Sequence, residues 1–232
     1  MSGLDAGALA LAFGKSFGVV FAVLLPILNP AATAPIFLGL TEGASAHTRA
    51  VLALRIARNM VLLLTGAMLV GSYLLDLFGI SLPIVRVGGG LIVAANAWRL
   101  LNADHATQDS RQALAEGFTP EHARRQAFYP LTFPISCGPG SIAAAITLGV
   151  TLVDPSPAVA LARFAGGWLG LAVVGLIMAA VFRFAPLLLR PLGETGTLVF
   201  LRLSAFILLC LGVQIVWDGL HELLSSLLLP LR

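Results

Sequence analysis

Two proline-rich segments contain the residues that could do chemistry. Each holds three prolines with the spacing P-x3-P-x4-P, within LLPILNPAATAPIFL in the first half of the chain and YPLTFPISCGPGSIA in the second. Three prolines in one helix predict a break, because each removes a backbone hydrogen bond and clashes with the preceding turn. A helix that restarts inside the break presents unpaired N–H groups and about half a positive charge, which together bind an anion such as a carboxylate.

The residues on both sides of the two breaks are the candidates for a binding site. Asn29-Pro30 favours a helix start, with Asn at the N-cap and Pro at the first helical position. Strict alignment of the two segments instead places the first break at Ala34-Pro35, and both registers stay open. The sequence from Gly138 to Ser141 can begin the second helix in the same way. The candidate substrate-binding residues are Asn29, Pro30, Thr33, Pro35, Ser136, Gly138, Pro139, Gly140 and Ser141.

The composition predicts an all-α integral membrane protein. Hydrophobic residues are 58% of the 232 and charged residues only 11%, against roughly a quarter charged residues in an ordinary soluble domain. Several uncharged runs approach or exceed the ~18 residues that mark a spanning helix. No basic region precedes the first run, so we expect it to be retained as a span. Six transmembrane helices are expected, at about 9–41, 56–76, 80–101, 126–153, 160–183 and 197–220.

The matched segments predict two inverted three-helix repeats. Residues 1–101 and 126–232 each contain three spans, and residues 102–125 form a polar linker between them. Because three spans lead to the opposite side of the membrane, the second repeat enters inverted relative to the first. Broken helices survive in lipid only where they are buried or line a cavity. We therefore expect helices 1 and 4 to be broken near mid-membrane, at the centre of the bundle.

Basic residues predict the orientation of the chain. Most of them lie in or beside the loops after spans 1, 3 and 5, and the other side of the membrane has only Lys15, Arg86, Arg163 and Arg232. Lys and Arg are retained in the cytoplasm, so the linker is expected to be cytoplasmic and both termini periplasmic. The net charge of +3 is explained by this orientation, and nucleic acid is not expected as a partner.

Two intramembrane arginines have two open interpretations. Arg86 and Arg202 each lie a turn or two inside the third span of their repeat, followed by small residues. Their side chains either snorkel to opposite interfaces or act as gates on opposite sides of the broken helices. For the gating interpretation, Asp76 and Asp218 are candidate partners.

The proline-rich segments also resemble a known family. LLPILNPAATAPIFLGLT and YPLTFPISCGPGSIAAAITLG are similar to the paired segments of the MarC family, the former UPF0056 group, and the six-span layout agrees over nearly the whole chain. Members are also classed as NAAT transporters. The resemblance implies transport of small neutral amino acids, such as glycine or alanine, across the bacterial inner membrane. Cys137 departs from the family pattern, which more often has another small residue there.

Other functional classes are less favoured by the residues present. No nucleophile with a base and no metal-ligand set lies at bilayer depth in the sequence, so an enzyme, a cofactor and a metal are not expected. The same lack argues against a proton relay of the Asp or Glu type. A channel remains an alternative, as does efflux of drugs or other small solutes, although small residues line the expected site and bulky ligands need larger cavities. The lipid bilayer and a small-molecule substrate are the expected partners, while the substrate, the transport direction, the coupling ion and the oligomeric state stay open.

Overall fold

The architecture is a bundle of long apolar helices. The computed structural model describes residues 6–41, 44–102 and 127–228, and every regular element within these ranges is a helix. Five of the helices are long and apolar enough to cross a membrane, and a sixth span results if one sharply bent pair is counted as one. The chain is therefore an all-helical, multi-pass membrane protein.

Within each half, the helices follow one another with short connections. The first half contains α1 (Ala6–Leu28), α2 (Pro30–Leu40), α3 (Ala46–Leu77) and α4 (Leu82–Leu101). In the second half an irregular helical segment, Ala127–Ser136, precedes α5 (Pro139–Leu152), α6 (Pro157–Arg183), the short α7 (Ala185–Leu189), a 3-10 turn (Arg190–Leu192) and α8 (Gly193–Leu228). Apart from Asn102, the expected linker at 102–125 lies outside the described residues.

Helix α3 extends well before the span expected from residue 56. It begins at Ala46 because Ser45 acts as its N-cap: the Ser45 hydroxyl accepts a hydrogen bond from the Thr48 N–H at 3.1 Å, which satisfies one of the otherwise unpaired donors of the first turn. Arg49 and Arg55 therefore lie on the first turns of a 32-residue helix. Helix α8, with 36 residues, is likewise longer than the stretch expected at 197–220.

The main core lies between α1, α2, α3, α5 and α6. Its largest side chains are almost completely buried, and Phe37 of α2 stacks on Phe182 of α6 with the ring centroids 4.7 Å apart. Helices α1 and α6 approach so closely that a side chain on Gly166 would collide with the backbone of Phe13. Small residues of this kind are how membrane helices gain packing contacts when lipid offers no hydrophobic driving force.

Helices α4 and α8 form the most extensive pair in the bundle. A Cβ atom on Gly90 would lie 2.8 Å from the Gly212 carbonyl oxygen, and one on Gly219 would lie 2.8 Å from the Pro83 carbonyl oxygen. The two antiparallel backbones are thus in near contact. Helix α4 packs mainly on α8 and α5 rather than on α3, its neighbour in sequence.

Large apolar side chains cover the outside of the bundle. Leu161, Leu176 and Val199, on α6 and α8, are each more than half exposed. An apolar exterior on this scale is rare in soluble monomers and is what a lipid-facing surface requires.

Candidate functional site

The first proline-rich segment is interrupted at one residue. Helix α1 ends at Leu28, Asn29 takes a left-handed conformation (φ 45°, ψ 67°), and α2 begins at Pro30. Asn is among the few non-glycine residues that adopt positive φ readily. The new helix therefore begins at Pro30 and not at Pro35, the other start that the sequence left open. Pro26 and Pro35 lie inside α1 and α2, respectively.

Asn29 connects the interruption to two neighbours. Its side-chain oxygen accepts from the Ala32 N–H at 3.1 Å, so it caps α2, and its side-chain amide donates to the Ser204 carbonyl of α8 at 3.4 Å. The Thr33 hydroxyl donates to the Asn29 carbonyl at 3.0 Å. Asn29 and Thr33 are buried, whereas Pro30 and Pro35 are half-buried. The buried polar side chains of this interruption, Asn29 and Thr33, are thus paired within the protein.

The second proline-rich segment is irregular over a longer stretch. Tyr129 and Phe133 have extended dihedral angles (φ −120°, ψ 123° and φ −115°, ψ 127°), as expected for residues that precede a proline. Helix α5 then begins at Pro139 after Gly138 and has no side-chain cap. The segment Ala127–Ser136 and α5 meet at an angle of 74°. The helix after the interruption therefore begins at the third proline of this segment, Pro139, whereas in the first segment it begins at the second proline, Pro30.

Hydroxyl groups around the second interruption bond to nearby backbone. Ser136 donates to the Leu131 carbonyl and Ser141 to the Gly138 carbonyl, each at 2.7 Å. The Ser141 hydroxyl also lies 3.3 Å from the Cys137 sulfur. Ser136, Gly140 and Ser141 are buried, Gly138 is half-buried and Pro139 is exposed. Both serines stabilise the irregular backbone, as polar side chains do where prolines free backbone groups in lipid.

The two groups of candidate residues contact different helices of the α4 and α8 pair. The first group meets α8 at Ser204. The second meets α4: a Cβ on Gly140 would collide with the Val93 side chain and lie 3.3 Å from the Gly89 carbonyl oxygen. Val93 therefore occupies the space beside Gly140 in this conformation. Neither Val93 nor Ser204 was a candidate, because an ordinary valine or serine in an apolar span carries no distinguishing pattern.

The arginines behave differently from each other. Arg86 of α4 forms an ion pair with Glu222 of α8, and neither Asp76 nor Asp218 takes part in an ion pair with a described residue. Asp218 instead accepts a hydrogen bond from the Gln214 amide at 2.7 Å. Arg202 is exposed and has no ion-pair partner within the described ranges. Sequence reasoning thus missed Glu222, which lies one helical turn beyond Asp218 on the same helix.

Two further features bear on the chemistry that the chain can perform. Within residues 6–41, 44–102 and 127–228, no cluster of three or more His, Cys, Asp or Glu side chains is arranged to hold a metal ion. An apolar cavity of about 290 Å³ lies between α3 and α6, lined by Thr65, Phe164 and Trp168 among others, and no candidate residue lines it.

Comparison with known proteins gives the family. The model of the MarC family, described as integral membrane proteins, matches residues 14–224. The chain belongs to the MarC family. It is 32% identical over 214 residues to the UPF0056 inner membrane protein MarC of Escherichia coli O1:K1 / APEC, an alignment that covers 91% of this chain and 97% of the relative. The proteins of the same name from Escherichia coli strain K12 and Shigella flexneri are 31% identical with the same coverage.

No solved structure matches the chain. The matched residues of the family model include both interruptions and the α4 and α8 pair. The named relatives are inner membrane proteins, in agreement with the long apolar helices of this chain, and the chain is a multi-pass inner membrane protein.

Proposed function

We propose that this protein transports small neutral amino acids, such as glycine or alanine, across the inner membrane by alternating access around a site between its two interrupted spans. The observation that carries the proposal is a pair of interrupted apolar segments. In each segment one helical stretch ends and a new helix begins, at Pro30 in the first and at Pro139 in the second. Interrupted helices of this kind in transporters point half-helix N-termini at anionic groups of the substrate.

The proposed architecture is an inverted repeat whose halves are 1–101 and 126–232, joined by a cytoplasmic linker at 102–125. Contacts at similar positions of the two halves support it. Asn29 of the first interrupted span meets α8 two residues after Arg202, and Gly140 of the second meets α4 three residues after Arg86. The packing partners also exchange when the halves are swapped. Helix α2 packs on α6 as α5 packs on α3, and α1 packs on α6 as the segment Ala127–Ser136 packs on α3. Helices 1 and 4 would then be broken near the middle of the membrane.

The proposed substrate follows from the chemistry of the two helix starts. The start of α5 has no side-chain cap, whereas Asn29 caps α2. An uncapped helix start attracts a carboxylate through its N–H groups and its partial positive charge. Around it lie Gly138, Gly140 and Ser141, and Val93 fills the space beside Gly140, so a substrate side chain here would have to be small. No carboxylate of the described residues lies at this site. The site therefore suits a zwitterion with a neutral side chain better than a substrate with a net positive charge.

The proposed orientation places both termini in the periplasm, on the basis of the arginine distribution. The proposed role is transport without catalysis. The coupling ion, the direction of transport and the oligomeric state stay open. Drug efflux is the alternative function, and a channel is another. Neither has an observation in its favour comparable to the two matched interruptions.

The experiment is uptake into liposomes that contain the purified protein. Radiolabelled glycine, alanine and leucine and a panel of drugs are tested under sodium and proton gradients, with empty liposomes as the control. We expect uptake of glycine and alanine to exceed that of leucine and of every drug. Uptake of drugs alone would contradict the proposal, and uptake of all solutes at rates that never saturate would favour a channel.

A further inference from the structure

The pair formed by α4 and α8, here called the arm, has a more extensive contact within itself than with any neighbouring helix. Backbone meets backbone at two levels of the pair. A Cβ on Gly212 would lie 2.6 Å from the Ala94 nitrogen, and one on Gly90 would lie 2.8 Å from the Gly212 carbonyl oxygen. Interiors packed this closely do not deform continuously. Sliding of α4 along α8 would therefore break many contacts at once.

An ion pair holds the arm together at one end. Arg86 of α4 and Glu222 of α8 are joined across the helix pair, with 24% and 48% of their side chains exposed. Close to it, Gly219 packs on the backbone of Pro83. The two helices are thus linked at the end that contains the start of α4, in addition to their contact at Gly90.

The remaining spans, here called the body, have a separate core. The large buried cluster draws on α1, α2, α3, α5, α6 and α7, and contains no residue of α4 or α8. Three buried residues of the arm, Val93, Ala97 and Leu208, form their own small cluster, against which Ile27 of the body packs. Two separate clusters of buried residues are the arrangement expected of two bodies that can shift relative to each other.

The arm contacts the body mainly at the two interruptions. Helix α8 meets Asn29 through the Ser204 carbonyl, and α4 meets the start of α5 through Gly89 and Val93. The contact at Gly89 is close, since its Cβ would lie 2.5 Å from that of Ala143. Any displacement of the arm therefore uncovers or covers both helix starts.

We propose that the arm moves as one rigid unit against the body, and that this movement opens and closes the site between the interrupted spans. The inference rests on the proposed transport function. It differs from a movement of one repeat against the other, because the arm combines the third span of each half. A ligand that favours one position of the arm shifts the population of the two states.

Distances between spin labels test the movement independently of transport. Labels are attached to cysteines at exposed, lipid-facing positions in a background with Cys137→Ala and Cys210→Ala, in lipid nanodiscs. Ile84 with Val199 reports within the arm, and Leu54 with Val199 reports between body and arm. We expect one narrow distribution for the first pair, and two distances, or a shift on adding alanine, for the second. Equally narrow and unshifted distributions for both pairs would overturn the inference.

Reversible cross-links test whether the movement is needed for transport. The Cβ of Val93 lies 3.6 Å from the Cβ position of Gly140, which suits a disulfide, so V93C with G140C joins arm to body. V93C alone, in the same background without Cys137 and Cys210, cannot form this disulfide and is the matched control. We expect oxidation to abolish glycine uptake in the first variant and to leave it unchanged in the second, with reduction restoring the first.

Each outcome separates this inference from the proposed function. Uptake that persists when oxidation joins the arm to the body overturns the rigid-unit inference while transport itself stands. A parent protein that takes up no amino acid overturns the proposed function. If the parent protein takes up no amino acid, or if the reduced V93C and G140C variant is inactive, the spin-label distances still test whether the arm moves against the body.

Discussion

The Asn29 side chain is joined to Ser204 by a hydrogen bond of 3.4 Å from its amide to the backbone carbonyl, while its oxygen caps α2 through the Ala32 N–H. One side chain thus fixes the start of a half-helix and attaches it to α8. Its left-handed backbone (φ 45°) explains why Asn is suited to the position, since residues with a Cβ other than Asn and Asp rarely adopt it.

Substitutions of Asn29 should separate the cap from the backbone conformation. Asn29→Ala loses the cap, about 1 kcal/mol, and adds a left-handed strain of about 1–2 kcal/mol. Asn29→Gly loses the same hydrogen bonds but tolerates positive φ. We expect the alanine variant to lower the free energy of unfolding clearly more than the glycine variant, measured by denaturation in detergent. Both should weaken transport per folded protein, and equal stability of the two would contradict the assigned backbone strain.

Gly140 and Val93 should be energetically coupled. Gly140→Ala places a methyl group against the Val93 side chain, and overpacking of this kind costs typically about 1–3 kcal/mol. Val93→Ala creates the space that the new methyl group needs. We expect the double variant to be more stable than the sum of the single effects predicts, with a coupling of about 0.5–3 kcal/mol. Additive effects in this double-mutant cycle would mean that α4 and α5 can separate freely at this point.

Gly88 and Gly89 offer a matched pair on one helix. Gly89→Ala would bring two Cβ atoms to 2.5 Å, against Ala143, whereas a Cβ on Gly88 meets nothing within 4 Å. We expect Gly89→Ala to lower the melting temperature and to leave the ratio of glycine to leucine uptake unchanged. Gly88→Ala should be neutral or stabilising by up to about 1 kcal/mol, because alanine is the better helix former. A changed uptake ratio in Gly89→Ala would assign that glycine to the substrate path.

The sequence predicts more of the fold than of the site, for physical reasons. Hydrophobic runs between charges indicate the apolar helices, because spanning length and a lack of charge are required by lipid itself. Asn29-Pro30 predicts the start of α2, because the cap and proline preferences are local. The cap of α3 at Ser45 is equally local, although the charged residues that follow it obscure the true helix start.

Long-range pairing could not be predicted in the same way. The partner of Arg86 lies one helical turn beyond the expected Asp218, since Asp218 and Glu222 are both acidic and only the relative position of α4 and α8 selects Glu222. Likewise the contact of Val93 with Gly140 depends on a helix crossing that no local preference fixes. The identical proline spacing also does not give identical helix starts, because Gly138 offers no side-chain cap and the irregular stretch extends to the third proline.

The orientation can be tested with reporters on both sides of the membrane. Because Lys and Arg are retained in the cytoplasm, a reporter fused after Arg232 should be periplasmic and one inserted near Thr107 should be cytoplasmic. Alkaline phosphatase, active only outside the cytoplasm, and a fluorescent protein that matures only inside it provide complementary measurements. The opposite pattern would reverse the side assigned to every loop and leave the contacts between helices unaffected.

Arg86 and Arg202 should differ in their effect on transport. The Arg86 ion pair is partly exposed, so its loss in Arg86→Gln should cost less than about 1 kcal/mol of stability. We nevertheless expect lower uptake per folded protein, because α4 and α8 lose a link at one end of the arm. Arg202→Gln, at a position without an ion pair to any described residue, should leave both quantities unchanged.

The charge exchange of Arg86→Glu with Glu222→Arg should restore uptake, which a role of Arg86 in snorkelling alone would not produce. Equal loss in the Arg86 and Arg202 variants would instead favour gates on both sides of the interrupted spans.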